Sequence, residues 1–269
     1  MLANLSRGYN LNSIPTEPKI VSLYLTYLSK NLKMSTLQRR LVSIGMVHKL
    51  KGHYLDTKHP SIIENIMGIK RRKGSIQKGK KPILISDLKL IIDVINKNKI
   101  RENRKLRDKA LILIGFAGGF RRSELVAILY EDVDFVPEGV KIFVKRSKTD
   151  QSGEGMIKGI PYFSNPDYCP VISLKNWLEK SEIKSGKIFD MSDKNVALTI
   201  KKYTAIAGLD SNKYSGHSLR SGFATSTAEL GAEERSIMAM TGHKSTEMVR
   251  RYIKDANLFK NNALNKIKI

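Results

Sequence analysis

The sequence predicts a mainly α-helical protein with one small antiparallel sheet, divided between two domains. Apolar residues recur at helical spacing along most of the chain, and one region alternates apolar with polar residues as a β-hairpin does. A basic stretch without apolar periodicity, residues 70–82, separates the helical regions. Because 269 residues exceed one small core, we expect a helical domain over residues 1–73, a basic linker over 74–82 and a second domain over 83–269.

The first domain is predicted to contain three helices. Residues 18–29 and 35–50 place apolar side chains three and four positions apart, and Ser35 is a suitable N-cap for the second helix. A short third helix over residues 61–68 would complete a small all-helical unit. The expected inward stripes are Ile20, Leu23, Tyr24, Tyr27 and Leu28 in the first helix, and Leu37, Leu41, Ile44, Val47 and His48 in the second.

The second domain is predicted to begin with two helices. Ser86 would cap the first of them, and residues 106–116 are nearly all apolar, which indicates a buried central helix ending at Gly118 and Gly119. The residues of the first helix expected to face the core are Leu88, Ile91, Ile92 and Ile95.

A hairpin and further helices are predicted after the central helix. Residues 140–144 alternate as a half-buried strand does, and residues 156–161 form a second strand after a glycine-rich turn. Helices are expected over residues 170–180 and 192–207 and again towards the end of the chain.

Charge is the strongest compositional signal. The chain carries 48 Lys and Arg against 25 Asp and Glu, a net charge of +23. Residues 1–82 hold 16 basic and three acidic residues, more than half of the excess. Such a surface attracts polyanions, so nucleic acid is the leading partner, although basicity alone also fits a ribosomal or membrane-surface protein.

The composition also excludes several classes of protein. The single cysteine, Cys169, excludes an internal disulfide and a cysteine-based zinc site, and it suits a reducing compartment. Apolar runs are too short to span a bilayer, and the first residues lack the build of a secretory signal. We therefore expect a cytoplasmic protein with no membrane association.

Two groups of residues in the first domain are candidates for contact with phosphates. One lies near the start of the second helix, and the other lies in the basic stretch that could follow a phosphate backbone; an ordinary solvated surface remains the alternative for each. These candidate DNA-binding residues are Thr36, Arg39, Arg40, Lys70, Arg71 and Arg72.

The sequence contains no convincing metal site. His48, His53 and His59 lack the spacing of a ligand set, and the acidic residues around Asp132 are better explained as a solvated turn than as a two-metal nuclease site. We therefore expect neither a metal nor a cofactor.

Three short motifs together suggest phosphoryl transfer without a metal. They are G-F-R-R-S-E-L from Gly119, S-G-H-S-L-R from Ser215 and T-G-H-K-S-T-E-M-V-R-R-Y from Thr241. Guanidinium groups would neutralise the non-bridging oxygens while a nucleophile attacks in line. On a helix, His217 and Arg220 project from one face, so both can reach a single phosphate.

These motifs resemble the tyrosine recombinases of the phage-integrase family over nearly the whole chain. The family's order of Arg, Lys, His-x-x-Arg, His or Trp, and Tyr is matched here, with Glu124 fitting the family's S-E-L element. The matching residues are Arg121, Lys148, His217, Arg220, His243 and Tyr252. Arg122 competes with Arg121, which the motif selects. Lys141, Lys145, Arg146 and Lys158 compete with Lys148, which is preferred because R-S-K-T-D-Q resembles the family's turn between strands.

The resemblance implies a helical, SAM-like core-binding domain followed by the family's catalytic domain. It also implies a metal-independent reaction in which Tyr252 attacks a DNA phosphate to give a 3′-phosphotyrosyl bond and a free 5′-hydroxyl. Arg121 and Arg220 would clamp the phosphate with a hydrogen bond from His243. His217 would take the tyrosine proton and Lys148 would protonate the leaving oxygen.

The partners implied by the resemblance are double-stranded DNA and further copies of the chain. Four protomers would assemble on two DNA sites, with the tail after Tyr252 docking on a neighbour, and an accessory directionality factor would be compatible with this assembly. The enzyme would then be nucleoid-associated. Two alternatives stay open at this point: a catalytically silent DNA-binding relative, and a type IB topoisomerase-like enzyme.

Overall fold

The computed structural model describes residues 13–74, 79–145, 155–243, 245–256 and 263–267. The chain divides into two compact units, Met1–Lys78 and Gly79–Ile269. Several residues singled out above lie outside the described residues, among them Lys148, Arg146 and most of the tail after Tyr252. No helix in the described part of the chain is long and apolar enough to cross a membrane.

The first unit is built from three helices: α1 (Pro18–Ser29), α2 (Met34–Leu50) and α3 (Pro60–Lys73). Proline at the start of α1 and α3 suits the first turn, where a backbone N–H has no helical partner. The three helices share one apolar core made of Val21, Tyr24, Leu25, Leu28, Leu37, Ile62 and Ile69.

The inward face of α1 differs from the predicted one. Val21 and Leu25 are fully buried, whereas Leu23 and Tyr27 are mostly exposed, so the helix is rotated by about one position from the predicted stripe. In α2, Val47 is also exposed and Lys33, not Ser35, is the N-cap. Packing against α3 decides which apolar residues turn inward, because several faces of these helices are apolar enough to be buried.

The basic stretch begins inside a helix. α3 continues to Lys73, so residues 70–73 are helical although they show no apolar periodicity. Arg72 Nη2 donates to Ser29 Oγ at 3.1 Å, and Lys73 Nζ donates to the carbonyl oxygen of Leu32 at 3.0 Å. These two side chains join the end of α3 to the end of α1, while basic residues at a helix C-terminus also interact favourably with its dipole.

The second unit opens with α4 (Ile85–Lys97), α5 (Glu102–Ala117) and the single turn α6 (Arg122–Leu125). All four residues predicted to face inward from α4 are buried, but Leu84 and not Ser86 is its N-cap. The central helix α5 is buried from Ala110 to its end and stops at Gly118, as expected from the glycine pair.

A three-stranded antiparallel sheet follows, with the order β1 (Val133–Val136), β2 (Gly139–Val144) and β3 (Met156–Pro161). The predicted strands are β2 and β3, and β1 was missed because it is short and only partly buried. The register pairs Ile142 with Lys158, which places both side chains on the same face of the sheet.

Helices complete the unit: α7 (Pro170–Ser181), α8 (Asp193–Ile206), α9 (His217–Glu229), α10 (Glu234–Thr241) and α11 (Thr246–Ala256). The last three share a small core in which Ala224, Ile237 and Val249 are buried. Tyr252 and Ile253 pack against this core, so apolar contacts set where α11 presents Tyr252.

Glycine at position 222 lets α9 approach the chain that enters the second unit. A Cβ on Gly222 would lie 1.9 Å from the carbonyl oxygen of Ile83, whose own N–H donates to Ser218 O at 2.9 Å. Since this neighbour is backbone, the clash cannot be relieved by a side-chain rotation.

Gly222→Ala is therefore expected to destabilise the second unit by roughly 1–3 kcal/mol through overpacking. Gly68→Ala is the matched control, because Gly68 is also helical and a Cβ there would meet nothing within 4 Å. The control is expected to raise stability by about 0.5–1 kcal/mol. Urea unfolding followed by circular dichroism checks both, and equal effects of the two substitutions would contradict this account.

Candidate active site

The first element of the site is the turn between α5 and α6. Glu124 is buried and accepts from the backbone N–H of Arg121 at 2.9 Å and from Arg121 Nη1 at 2.5 Å. The backbone bond closes the first turn of α6, as an acidic residue three positions after the N-cap can do. The side-chain bond holds the guanidinium group of Arg121 beside the same carboxylate.

The start of α9 supplies two further residues, His217 and Arg220. Arg220 is 1% exposed, and its Nη1 donates to the carbonyl oxygen of Gly119 at 2.8 Å. Its Nη2 is buried and makes no hydrogen bond in the described structure. A guanidinium nitrogen left in this state is costly, and an anion is the partner that best compensates it.

His243 follows the end of α10 directly. Gly242 adopts a left-handed conformation at φ 63°, which ends the helix and turns the chain towards the site. His243 Nδ1 lies 2.8 Å from Thr241 Oγ1, and the Thr241 hydroxyl itself donates to Ile237 O at 2.6 Å. The threonine therefore fixes the orientation of the imidazole ring.

Tyr252 faces both histidines from α11. Its hydroxyl oxygen lies 3.3 Å from His217 Nε2, and its ring centroid lies 6.2 Å from that of His243. A phenol next to an imidazole nitrogen can pass its proton to that nitrogen, which is the arrangement a tyrosine nucleophile requires.

Burial and neighbouring positive charges together shift the pKa values in the site. Desolvation, followed by the charges of Arg220 and Arg121, lowers the pKa of His243 to about 4. The same causes lower the pKa of His217, with a further contribution from Arg122. Desolvation and the neighbouring Arg121 lower the pKa of Arg220 to about 10. Because both pKa values lie below the ordinary value of a histidine, both rings are mostly uncharged at neutral pH.

Glu124 counteracts this concentration of positive charge. Burial by itself would raise its pKa, but the hydrogen bonds from Arg121 and the charges of Arg121 and Lys158 outweigh burial, and the pKa lies below its ordinary value. The Glu124 carboxylate is therefore ionised in the folded protein at neutral pH.

The structure brings together six of the seven residues predicted for the catalytic unit, Arg121, Glu124, His217, Arg220, His243 and Tyr252. The seventh, Lys148, lies outside the described residues. Arg122 has a different partner: its Nη2 lies 3.6 Å from Asp193 Oδ2, and its aliphatic part packs over Gly216.

The candidate DNA-binding residues all lie on the first unit. Arg39 is exposed on α2, while Thr36 is half-buried and Arg40 Nη1 donates weakly to Tyr24 Oη at 3.4 Å. Lys70, Arg71 and Arg72 are exposed at the end of α3.

Two further expectations concern metal sites. The histidines of the first unit have structural partners: His48 is buried between Ile44 O and the N–H of Thr16, and His59 accepts from the N–H of Ser61. Asp132 is likewise engaged with Lys145 Nζ at 2.9 Å. Within the described ranges, no cluster of three or more His, Cys, Asp or Glu side chains could hold a metal ion.

Sequence reasoning missed the role of Lys158 in this region. It was considered only as a competitor of Lys148, yet its ammonium group lies fully buried beside Arg121, Glu124 and Arg220. The signal that could have found it is the strand alternation, because Lys158 shares a parity with the inward-facing Ile160.

Comparison with known sequences decides the family. The sequence model of the phage integrase family matches residues 84–258. An integrase/recombinase xerD homolog of Selenomonas ruminantium is 42% identical over 274 residues, spanning 96% of this chain and 80% of the relative. The chain belongs to the phage integrase family. It is a tyrosine recombinase, an enzyme of site-specific recombination, and the expectation drawn from its motifs is confirmed.

A second relative and two solved structures extend the comparison. A tyrosine recombinase of Agathobacter rectalis is 27% identical over 264 residues, spanning 93% of this phage-integrase-family chain and 82% of the relative. The XerH recombinase bound to a palindromic difH substrate has a TM-score of 0.70 at 18% identity, over 92% of this chain and 73% of that one. The Tn1549 transposon integrase bound to a circular-intermediate DNA has a TM-score of 0.64 at 14% identity, over 88% and 81%. These likenesses confirm the predicted fold.

Glu124 provides a pH-dependent test of the site's construction. At neutral pH, Glu124→Gln is expected to cost roughly 1–3 kcal/mol of unfolding free energy, because charge-assisted hydrogen bonds are lost. Since the pKa of Glu124 is lower in the folded chain, its contribution is fully present above the unfolded value of about 4.3. It disappears as the pH falls through the folded pKa. Urea unfolding of both proteins between pH 7 and pH 3 should show the difference shrinking with acid, and a constant difference would contradict the assignment.

Proposed function

We propose that the six clustered residues, with Lys148, form the site at which this recombinase breaks and rejoins DNA through a phosphotyrosyl intermediate. The observation that carries the proposal is the buried Nη2 of Arg220, which has no hydrogen-bond partner among the described residues, in a site that also holds Arg121, His243 and the Tyr252 hydroxyl. Such a site suits a tetrahedral phosphate whose phosphorus atom is open to attack by a nucleophile.

The two arginines would bind the non-bridging oxygens of the scissile phosphate. Glu124 orients Arg121 and the Gly119 carbonyl orients Arg220, so each guanidinium group is held before DNA arrives. A planar, permanently charged group suits this task better than an ammonium group. A bound phosphate would raise the pKa of His243, and the protonated ring, held by Thr241, could then donate a hydrogen bond to that phosphate.

Tyr252 would be the nucleophile and His217 its proton acceptor. The 3.3 Å separation allows direct transfer of the phenolic proton to Nε2, and the lowered pKa of His217 keeps the ring neutral and able to accept it. Attack on phosphorus would form the 3′-phosphotyrosyl bond and release the 5′-oxygen, which Lys148 would protonate. Attack by that hydroxyl on the phosphotyrosine reverses the step and rejoins a strand without an external energy source.

The first unit would act as the core-binding domain over residues 1–73, joined by the linker over 74–82 to the catalytic domain over 83–269. Its charge of +13 over residues 1–82 supports binding to a phosphate backbone. Arg39, Lys70 and Arg71 are exposed and suited to phosphate contacts, whereas Arg40 and Arg72 already have side-chain partners within the unit.

The assembly would consist of four protomers on two double-stranded DNA sites. The two solved relatives described above are complexes with DNA, which supports DNA as the partner of this chain. A tetramer, a directionality factor and association with the nucleoid are proposed from the family resemblance. No comparison favours a type IB topoisomerase or a silent DNA-binding relative.

Tyr252→Phe tests the nucleophile. The variant is expected to retain DNA binding but to lose covalent adducts by at least about 10³-fold, because no oxygen remains to attack phosphorus. The measurement captures SDS-resistant adducts from a pool of nicked random-sequence duplexes in EDTA and sequences the attached DNA. The wild type should give adducts enriched for a paired motif. Persistent adducts in the variant would refute the nucleophile, and adducts that need Mg²⁺ would refute the metal-free mechanism.

Arg121→Lys and Arg122→Lys form a matched pair of adjacent residues. Arg121→Lys is expected to slow adduct formation by roughly 10²- to 10³-fold, as loss of a transition-state donor does. Arg122→Lys should change the rate by less than about threefold, because Arg122 is exposed and pairs with Asp193. Single-turnover rates at saturating DNA measure both effects. A larger loss of rate in Arg122→Lys than in Arg121→Lys would assign phosphate binding to Arg122 instead.

A further inference from the structure

A lysine stands at an inward position of the edge strand β3. Exposure alternates along the strand so that Ile157 is 67% exposed while Lys158 is fully buried. Its cross-strand partner on β2 is the buried Ile142. Burying an ammonium group among apolar neighbours is costly unless strong acceptors surround it.

The acceptors of Lys158 are two backbone carbonyls from distant parts of the chain. Nζ donates to Gly118 O at 2.7 Å and also to Met240 O. It lies 4.8 Å from the ring centroid of Phe120, a favourable cation–π distance. Gly118 ends α5 and Met240 is in the last turn of α10, so one cation serves two helix C-termini whose carbonyls lack helical partners.

Both carbonyls lie three residues before a residue of the proposed site. Gly118 precedes Arg121 and Met240 precedes His243, while the neighbouring Gly119 carbonyl accepts from Arg220. The strand makes a second contact with the His243 segment, because a Cβ on Gly242 would lie 3.2 Å from Met156 Sδ. β3 is therefore a common support for the arginine turn and the histidine turn.

We propose that Lys158 is a positioning residue that fixes the distance between the arginine pair and His243 by binding the carbonyls of Gly118 and Met240. The inference rests on the proposed function of that site. Lys158 does not itself act on the substrate, because its ammonium group is inaccessible and committed to the two carbonyls. Burial lowers the pKa of Lys158 to about 8, and Glu124 opposes that shift. The group is therefore mostly charged at neutral pH, as its role requires.

The main variant is Lys158→Met, which keeps the length of the side chain and removes its donors and charge. Lys180→Met is the matched control, since Lys180 is exposed at the end of α7. Two readouts are needed: the rate of covalent adduct formation at saturating DNA, and the affinity for inorganic phosphate reported by the imidazole NMR signals of His243.

Lys158→Met is expected to slow adduct formation by about 100-fold, as a shift of about 1 Å in a reacting group can do. It is also expected to weaken phosphate binding about tenfold, with DNA affinity unchanged within about threefold. The control should show none of these changes. Wild-type rate and phosphate affinity in Lys158→Met would overturn the proposal.

A substrate with sulfur in place of the bridging 5′-oxygen separates positioning from proton donation. A thiolate leaves without being protonated, so a variant that lacks only the general acid recovers on this substrate. Lys158→Met is expected to remain slow on it, and full recovery would make Lys158 the proton donor and refute a positioning role.

If Lys158→Met does not unfold cooperatively, Lys158→Arg is measured instead. Its longer side chain should push the carbonyls of Gly118 and Met240 apart and lower both the adduct rate and the phosphate affinity. Wild-type values of both would overturn the proposal. If the wild type forms no adducts, the proposed function fails. Weakened phosphate binding in the variant would still support positioning, and unchanged phosphate binding would refute it.

Discussion

The site depends on holding three cations together inside the protein. Arg220 and Lys158 are almost completely withdrawn from water, and this burial, with the nearby charge of Arg121, lowers the pKa values of both groups. Glu124 supplies one compensating charge. The remaining stabilisation comes from backbone carbonyls at Gly118, Gly119 and Met240, which accept from Lys158 and Arg220. A buried cation survives only where such acceptors are fixed, so the backbone turns matter as much as the side chains.

Glycine determines the geometry of these turns. Gly119 has φ 54°, and a Cβ there would lie 3.1 Å from Phe223 and 3.2 Å from Thr241 Cγ2. The turn that carries the Arg220 acceptor is thus packed directly against the helix that carries Arg220 and the residue that orients His243. Gly242, at φ 63°, likewise turns the chain at the end of α10. Left-handed conformations at Gly119 and Gly242 let α5 and α10 end beside each other, with the carbonyls of Gly118 and Met240 both directed at Lys158.

Motifs and periodicity predicted much of this arrangement, and packing decided the rest. The glycine pair, the His-x-x-Arg spacing and the strand alternation of β2 were sufficient to place α5, α9 and the hairpin. The face of α1 was not predictable, because Ile20, Leu23 and Tyr27 are apolar as well, and packing against α2 and α3 selects which residues turn inward. Although the parity of Lys158 with the buried Ile160 indicates the right face of β3, Ile157 is outside and Lys158 is inside, so the hydrophobicity of these two residues indicates the wrong face. The pairing register with β2 corrects it, and register is a tertiary property.

A site built from cations is least favourable when it is empty. Burial and the charges of the arginines lower the pKa values of both histidines, and Arg220 Nη2 has no acceptor among the described residues, so a phosphate between the arginines would supply both an acceptor and a compensating negative charge. Burial and the charges of the arginines lower the pKa of His217, so its ring is neutral and could take the proton of the Tyr252 hydroxyl, which lies 3.3 Å from its Nε2. Under the proposed function, the arginines that would bind the phosphate would therefore also help to keep the proton acceptor of the nucleophile neutral.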